Sequence, residues 1–228
     1  MRPGLISVLE ALFHEVCPAM RHPLIAQLEA ARIVPVVRTH DTAHAAKAVA
    51  WLRETGITVF EITMTVPGAV DLIRELSAEP GLLVGAGTVP DAATAEACLA
   101  AGARFIVAPW VDSSLAPPCR EANACLMLGA VTPTEVRAAL AAGTDVVKVF
   151  PAASAGGPGH VKALRSVFPQ VTFCPTGGVD ARNAPDYLAA GAGFVGMGGK
   201  LVDESLIAKG DRAAVQDAAR AALGIVQV

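Results

Sequence analysis

Short β-branched runs recur along the chain at 33–37 (IVPVV), 57–64 (ITVFEITM), 82–89 (LLVGAGTV), 103–109 (ARFIVAP), 125–131 (CLMLGAV), 145–151 (DVVKVFP), 171–178 (VTFCPTGG) and 193–199 (GFVGMGG). The segments between them place apolar residues at helical spacing, so the pattern predicts strand and helix in alternation. Punctuation agrees with it. Three of the helices end on the same word, LAAG, at 99–102, 140–143 and 188–191, and Gly56 follows RET in the same way; in each case glycine supplies a left-handed cap before the next strand. Helix starts are marked by HDTAH near Thr42, DAAT at 91, TPTE at 132–135 with its Thr-x-x-Glu box, and DARN at 180.

Strands alternating with helices at this spacing require a parallel sheet, and eight such units in succession favour a closed (β/α)8 TIM barrel over an open doubly wound sheet. One domain is expected over 1–228. Residues 1–32 form an N-terminal helical extension of one or two helices covering the bottom of the barrel, 33–202 hold the strands and helices, and 203–228 form the last helix.

Composition narrows the function classes. The chain is 53% hydrophobic, 17% charged and 4% aromatic, so its core must come from Ala, Val, Leu and Ile, which suits a parallel sheet covered by helices. A net charge of -3 without a basic run removes the footprint of a nucleic-acid binder and leaves small molecules as partners. Cys17, Cys98, Cys119, Cys125 and Cys174 are scattered without a CxxC pair, which reads as reduced thiols in a cytoplasmic protein and not as a zinc site. The stretch from Ser166 to Val179 lacks charge but contains Pro and Gly and falls short of the roughly 18 apolar residues of a membrane span. Glu10, His14 and Glu15 make the N-terminus an amphipathic helix in preference to a signal peptide.

Chemistry enters through strand parity. Side chains alternate along a strand, so Glu61, Thr63 and Thr65 share one face and Lys148 shares its face with Val146 and Phe150. Polar residues therefore gather inside the barrel near the C-terminal ends of its strands, where barrel enzymes hold their active sites; Thr88 and Thr176 fit the same rim. Lys148 has two readings. It is a core lysine paired with Glu61, although an apolar pair would fill that space at less cost. Or it is an amine nucleophile that burial keeps from carrying a cation, able to form an imine with a ketone while Glu61 moves protons.

Glycines follow the last two strands, in TGG at 176–178 and GMGG at 196–199. Either alone reads as a tight turn. Together they occupy the phosphate-binding position of a barrel, where bare backbone N–H groups grip an anion, and Lys200 either adds charge there or lies on a solvated helix start. Arg38, just past the first strand, is either a holder of carboxylate or phosphate or an ordinary surface arginine. His40 and His44 stand four apart, but without an HExxH pattern or a third donor nearby in sequence they read as solvated residues at a helix start.

These residues together are familiar. IVPVVR, FEITMTVPGA, VGAGTV, ARFIVAPW, GAVTPTEVRAALAAGTDVVKVFPA, CPTGGV and GMGGKLV resemble, in order, the motifs of the 2-keto-3-deoxy-6-phosphogluconate / 4-hydroxy-2-oxoglutarate aldolase family from Ile33 to Val202. The resemblance implies a class I aldolase, a homotrimer of TIM barrels that uses no metal or other cofactor. It implies that Lys148 forms the Schiff base and Glu61 transfers protons. Thr88, Pro109 and Phe150 would line the pyruvate end, and Thr176, Gly177, Gly178, Gly198 and Gly199 the phosphate end. Two positions depart from the family pattern. Thr65 stands where an arginine would bind the pyruvate carboxylate, and Gly199 replaces a serine of the last phosphate loop. The related phosphogalactonate aldolases also lack that arginine and carry one after the first strand, where this chain has Arg38. The expected substrate is a 2-keto-3-deoxy-6-phospho sugar acid, cleaved to pyruvate and glyceraldehyde 3-phosphate, with 4-hydroxy-2-oxoglutarate as a second. Alternatives are a phosphogalactonate or other 2-keto-3-deoxy acid aldolase, a phosphate-binding barrel isomerase or phosphosugar synthase, and a non-catalytic metabolite-binding barrel.

Overall fold

A computed structural model describes residues 21–226. The helix expected around Glu10, His14 and Glu15, and Cys17 with it, lies outside the described residues. Eight strands follow in order: β1 Ile33–Val37, β2 Val59–Thr63, β3 Leu83–Gly87, β4 Phe105–Ala108, β5 Cys125–Ala130, β6 Val146–Val149, β7 Phe173–Pro175 and β8 Val195–Met197. All pair in parallel, in the order β7-β6-β5-β4-β3-β2-β1-β8, and a parallel bridge between Thr176 and Gly196 brings β7 back to β8. The sheet thus closes into the expected barrel.

Helix α1 Leu24–Ala31 precedes the first strand, and the outer face is covered by α2 Thr42–Arg53, α3 Ala69–Ser77, α4 Ala92–Ala100, α5 Ala116–Glu121, α6 Pro133–Ala141, α7 Gly157–Val167, α8 Ala184–Ala189, α9 Glu204–Lys209 and α10 Arg212–Val226. Each buries one stripe. In α3 the buried residues are Ala69, Leu72, Ile73 and Leu76, the i, i+3, i+4, i+7 spacing of an amphipathic helix. Full burial of a side chain such as Ile73 contributes about 1.5–3 kcal/mol.

Parity divides the core in two. Val37, Phe60, Ile62, Ala86, Ile106 and Leu128 face the helices. Val34, Val59, Phe105, Val107, Cys125, Met127, Val146, Cys174 and Phe194 fill the barrel interior together with Leu24, Ile25 and Leu28 of α1, so α1 plugs the N-terminal end. The interior is packed at that end, which leaves only the C-terminal end open for a site.

Capping side chains set half of the helix starts. Asp41 accepts from the His44 N–H at 2.7 Å, Asp91 accepts from the Thr94 N–H at 2.7 Å, and Thr132 with Glu135 completes the capping box of α6. Two starts differ from the sequence pattern. Asp180 accepts from the N–H groups of Arg182 and Asn183 at 2.9 and 3.2 Å and so closes a local turn; α8 begins only at Ala184, with Pro185 in its first turn supplying no N–H to be capped. The tail from Asp203 is two helices, because Gly210 at φ 74° ends α9 in the left-handed region and Asp211 then caps α10 by accepting from the Ala214 N–H at 3.1 Å. Among the described residues no helix is long and apolar enough to cross a membrane.

Candidate active site

Register carries Glu61 and Lys148 to the same depth. On β2, Glu61 pairs with Val36 of β1 and Gly85 of β3; on β6, Lys148 pairs with Gly129 of β5 and Cys174 of β7. Both side chains point inward, and Lys148 Nζ donates to Glu61 Oε1 at 3.2 Å. Each residue is 4% exposed. Neighbouring glycine makes the room: a β-carbon on Gly87 would overlap the Glu61 carboxylate, so the end of β3 must be bare for the carboxylate to sit there.

Above this pair a cavity of about 680 Å³ opens at the C-terminal end of the barrel. Its wall contains Arg38, Thr88, Pro109, Lys148, Phe150, Thr176, Gly177, Gly178, Gly198 and Gly199, which sequence reasoning singled out, together with Lys200 and the apolar Val36 and Val179. The Phe150 ring lies beside the amine, its centroid 5.9 Å from Lys148 Nζ. Val36 and Val179 escaped notice because nothing in an apolar side chain marks it as site lining. Strand parity offered one cue for Val36, which lies in line with the inward-facing Val34 on β1.

Thr65 is not among these residues. It lies beyond the end of β2, exposed, and its hydroxyl is 2.7 Å from that of Thr63, which in turn donates to the Val37 carbonyl at 3.0 Å. Thr63 and Thr65 thus keep a common side, but Thr65 stands past the end of the strand and outside the cavity wall. Arg38 instead reaches the wall from the end of β1, and its Nη2 donates to Thr88 Oγ1 at 3.0 Å. Thr88 sits at φ 56°, a left-handed conformation that a β-branched residue rarely adopts. Such strain costs about 1–3 kcal/mol and persists where surrounding structure demands it.

The far wall is a backbone cradle. Gly177 and Gly178 have φ values of 91° and 75°. Among the described residues, the N–H groups of Gly177, Gly178, Gly199 and Lys200 find no acceptor within the chain and stay available to a ligand. Arg38 and Lys200 add positive charge at the same mouth. An anion is the natural guest of such a cradle.

Cys174 completes the floor beside Lys148. Burial pushes its thiol up to about 12, while the charge of Lys148 pulls the other way. It is a filler of the interior and not a nucleophile.

A buried amine in contact with a carboxylate, at the open end of a parallel barrel and beneath a cationic mouth, is the equipment of a lyase that forms an imine with a ketone. The chain belongs to the KDPG and KHG aldolase family, whose model matches residues 24–218. It is 36% identical to the 2-dehydro-3-deoxy-phosphogluconate aldolase of Pseudomonas aeruginosa over 85% of this chain and 88% of that one. It is 33% identical to the KHG/KDPG aldolase of Escherichia coli over 84% of this chain and 90% of the relative. The crystal structure of the KDPG aldolase of Legionella pneumophila, with pyruvate captured at low pH as a covalent carbinolamine, superposes with a TM-score of 0.79 at 32% identity, covering 87% of this chain and 97% of that one. The protein is accordingly an aldehyde-lyase.

Proposed function

We propose that the enzyme is a class I aldolase that cleaves 2-keto-3-deoxy-6-phosphogluconate to pyruvate and glyceraldehyde 3-phosphate, with Lys148 as the imine-forming amine and Glu61 as the proton carrier. The observation that carries this reading is the contact between Lys148 Nζ and Glu61 Oε1 at 3.2 Å on the floor of the cavity.

The steps follow from that contact. Lys148 passes one proton to Glu61 and, as the free amine, adds to the C2 ketone; the new oxygen takes a second proton from the nitrogen and the first one back from Glu61, and leaves as water to give an iminium. Glu61 then takes the proton of the C4 hydroxyl. As the C4 oxygen becomes an aldehyde, the C3–C4 bond breaks and its electron pair flows into the iminium, leaving an enamine on Lys148. Glyceraldehyde 3-phosphate departs. Glu61 returns the proton to C3, water adds to the regenerated iminium, and pyruvate leaves with Lys148 free again. One water is released and one consumed, so the net reaction is a cleavage without any external oxidant or reductant.

The anion cradle at Gly177, Gly178 and Gly199, with Lys200, suits the 6-phosphate. Arg38 and Thr88 suit a second anionic group, such as the carboxylate of the pyruvate moiety. A cavity with two cationic positions also admits 4-hydroxy-2-oxoglutarate, whose cleavage gives pyruvate and glyoxylate, and the Escherichia coli relative carries both activities in its name. The arginine after the first strand keeps the phosphogalactonate series open as a third class of substrate. Assaying pyruvate release across a panel of 2-keto-3-deoxy acids ranks these substrates. Borohydride reduction in the presence of pyruvate tests the chemistry itself: a stable carboxyethyl adduct on Lys148 is expected, and a folded protein that acquires none would reject the aldolase reading.

We read the assembly as a homotrimer, as the family resemblance implies, with the exposed Trp110 at 43% accessibility as apolar surface for such a contact. Light scattering on the purified chain checks it. A cytoplasmic location accords with Cys98, Cys119, Cys125 and Cys174 being free thiols.

A further inference from the structure

We propose that Asp41, His44 and Glu204, with His40 orienting the Glu204 carboxylate, form a structural binding site for a divalent transition-metal ion of the zinc type, outside the cavity that holds Lys148. The sequence offers the two histidines and Asp41 between them but no further donor nearby. Folding supplies it: α9 brings Glu204 from 164 residues away against the start of α2, where His40 Nδ1 is 2.5 Å and His44 Nδ1 is 3.5 Å from its carboxylate oxygens.

The spacing of the donors carries the argument. Asp41 Oδ2 lies 3.1 Å from His44 Nδ1, and His44 Nδ1 lies 3.5 Å from Glu204 Oε1. Donor atoms bonded at about 2.0–2.1 Å around a tetrahedral ion stand about 3.3 Å apart, so these separations are the edges of such a polyhedron. One donor from each of Asp41, His44 and Glu204 falls within 4.8 Å of the other two. One imidazole with two carboxylates balances a doubly charged ion, and the imidazole matches the ligand preference of zinc and its neighbours more than that of calcium or magnesium. Local structure already holds the donors. Asp41 commits Oδ1 to the N-cap of α2 and leaves Oδ2 free, while Glu204 Oε1 accepts from the His40 N–H at 2.6 Å and has a second lone pair. His44 and Glu204 side chains are 25% and 24% exposed, against 51% for Asp41 and 93% for His40, so two donors sit within the fold, Asp41 stands at its edge, and His40 orients Glu204 from outside. None of the four lines the cavity wall.

An ion here would tie the loop after β1, which carries Arg38, to α9, which begins just past the Gly198–Lys200 loop. Both loops border the cavity mouth, so its role is to hold the two sides of that mouth in register.

The test is a Co2+ titration of the full chain after chelator treatment and dialysis, followed by visible absorption and by Zn2+ competition. One equivalent is expected to bind with the intense bands of a four- or five-coordinate site and to raise the Tm. His44→Ala and Glu204→Gln should each weaken binding about 100-fold or more, and His40→Ala about 10-fold. Asp41→Asn keeps the helix cap but loses the charge, and should weaken binding with folding intact. No saturable equivalent, or an affinity that His44→Ala and Glu204→Gln leave unchanged in folded protein, overturns the site. Pyruvate trapping at Lys148 should persist in metal-free protein; its loss would overturn the structural role.

Discussion

Lys148 and Glu61 meet at 3.2 Å from strands β6 and β2, which are not neighbours in the sheet, so the contact spans the barrel interior. Two opposite charges with almost no solvent form a pair that costs desolvation and is weak evidence of stability by itself. Its presence is better explained by chemistry, and the two explanations separate on mutation. Lys148→Met removes one partner and should cost about 3–5 kcal/mol as well as all imine trapping. Glu61→Gln should still trap pyruvate while kcat falls about 10²- to 10⁴-fold. The double variant, with no buried charge left, should regain stability but no activity. Urea midpoints and borohydride trapping on all three variants check this; recovery of activity in the double variant would falsify the assignment.

Much of that site was legible in the sequence because strands impose a period of two. Glu61 and Lys148 fall on inward positions by counting, and the LAAG words mark where each new strand begins, so the barrel follows from local signals. Thr65 shows where counting stops: its hydroxyl still meets that of Thr63, but β2 has ended at Thr63 and Thr65 stands exposed outside the cavity wall. Glu204 shows a different limit. Its partnership with His40 and His44 depends on how the helix after β8 meets the start of α2, a side-chain contact that the strand and helix words do not specify. Asp180 shows a third, since an aspartate before a helical run can cap a helix or close a turn, and only the proline at 185 hints at the later start.

Arg38 is expected to do part of the carboxylate-binding work that an arginine at position 65 would do. Arg38→Ala should raise KM at least about tenfold, as loss of a charge-assisted hydrogen bond worth about 1.5–3 kcal/mol requires, with trapping at Lys148 still measurable at high pyruvate. An unchanged KM would sink the role. Thr88→Gly offers a companion test. It relieves a left-handed threonine that costs about 1–3 kcal/mol but adds about 0.5–1 kcal/mol of chain entropy, so stability should not fall while KM rises with the lost grip on Arg38.

Gly87 is expected to tolerate no side chain. Gly87→Ala drives a β-carbon into the Glu61 carboxylate, an overpacking that costs about 1–3 kcal/mol and moves the proton carrier. The variant should fold, trap pyruvate and turn over slowly. Normal kcat in a variant of normal stability would show that Glu61 has freedom the packing denies it.

Acid stability should depend on the α6 capping box. The Glu135 carboxyl sits below its ordinary value of 4.5 because the Thr132 and Val131 N–H groups donate to it. A folded-state value below the unfolded one means stability that is present above about the ordinary value and lost as pH falls through the folded one. Urea midpoints at pH 7 and pH 3 should therefore drop less in Glu135→Gln than in the parent. Thr132→Ala should cost about 1 kcal/mol at neutral pH, since it leaves the Glu135 N–H without its acceptor.

The buried thiols set the opposite limit, at alkaline pH. Burial pushes Cys98 up to about 11, Cys119 and Cys174 up to about 12, and Cys125 well above its ordinary 9.0. Below 9.0 both folded and unfolded chains keep these protons. Above it the unfolded chain releases them and the folded chain does not, so stability should decline from pH 9.0 toward the folded values near 11 and 12. The same burial makes the thiols unreactive. Iodoacetamide at pH 8 should leave all four unmodified in the folded protein and modify all four in urea, as peptide mapping by mass spectrometry would read. Cys174 is the informative one. It pairs in register with Lys148, so its alkylation under native conditions would mean that the barrel interior opens beside the amine, and that the pocket around Lys148 is not the rigid floor described here.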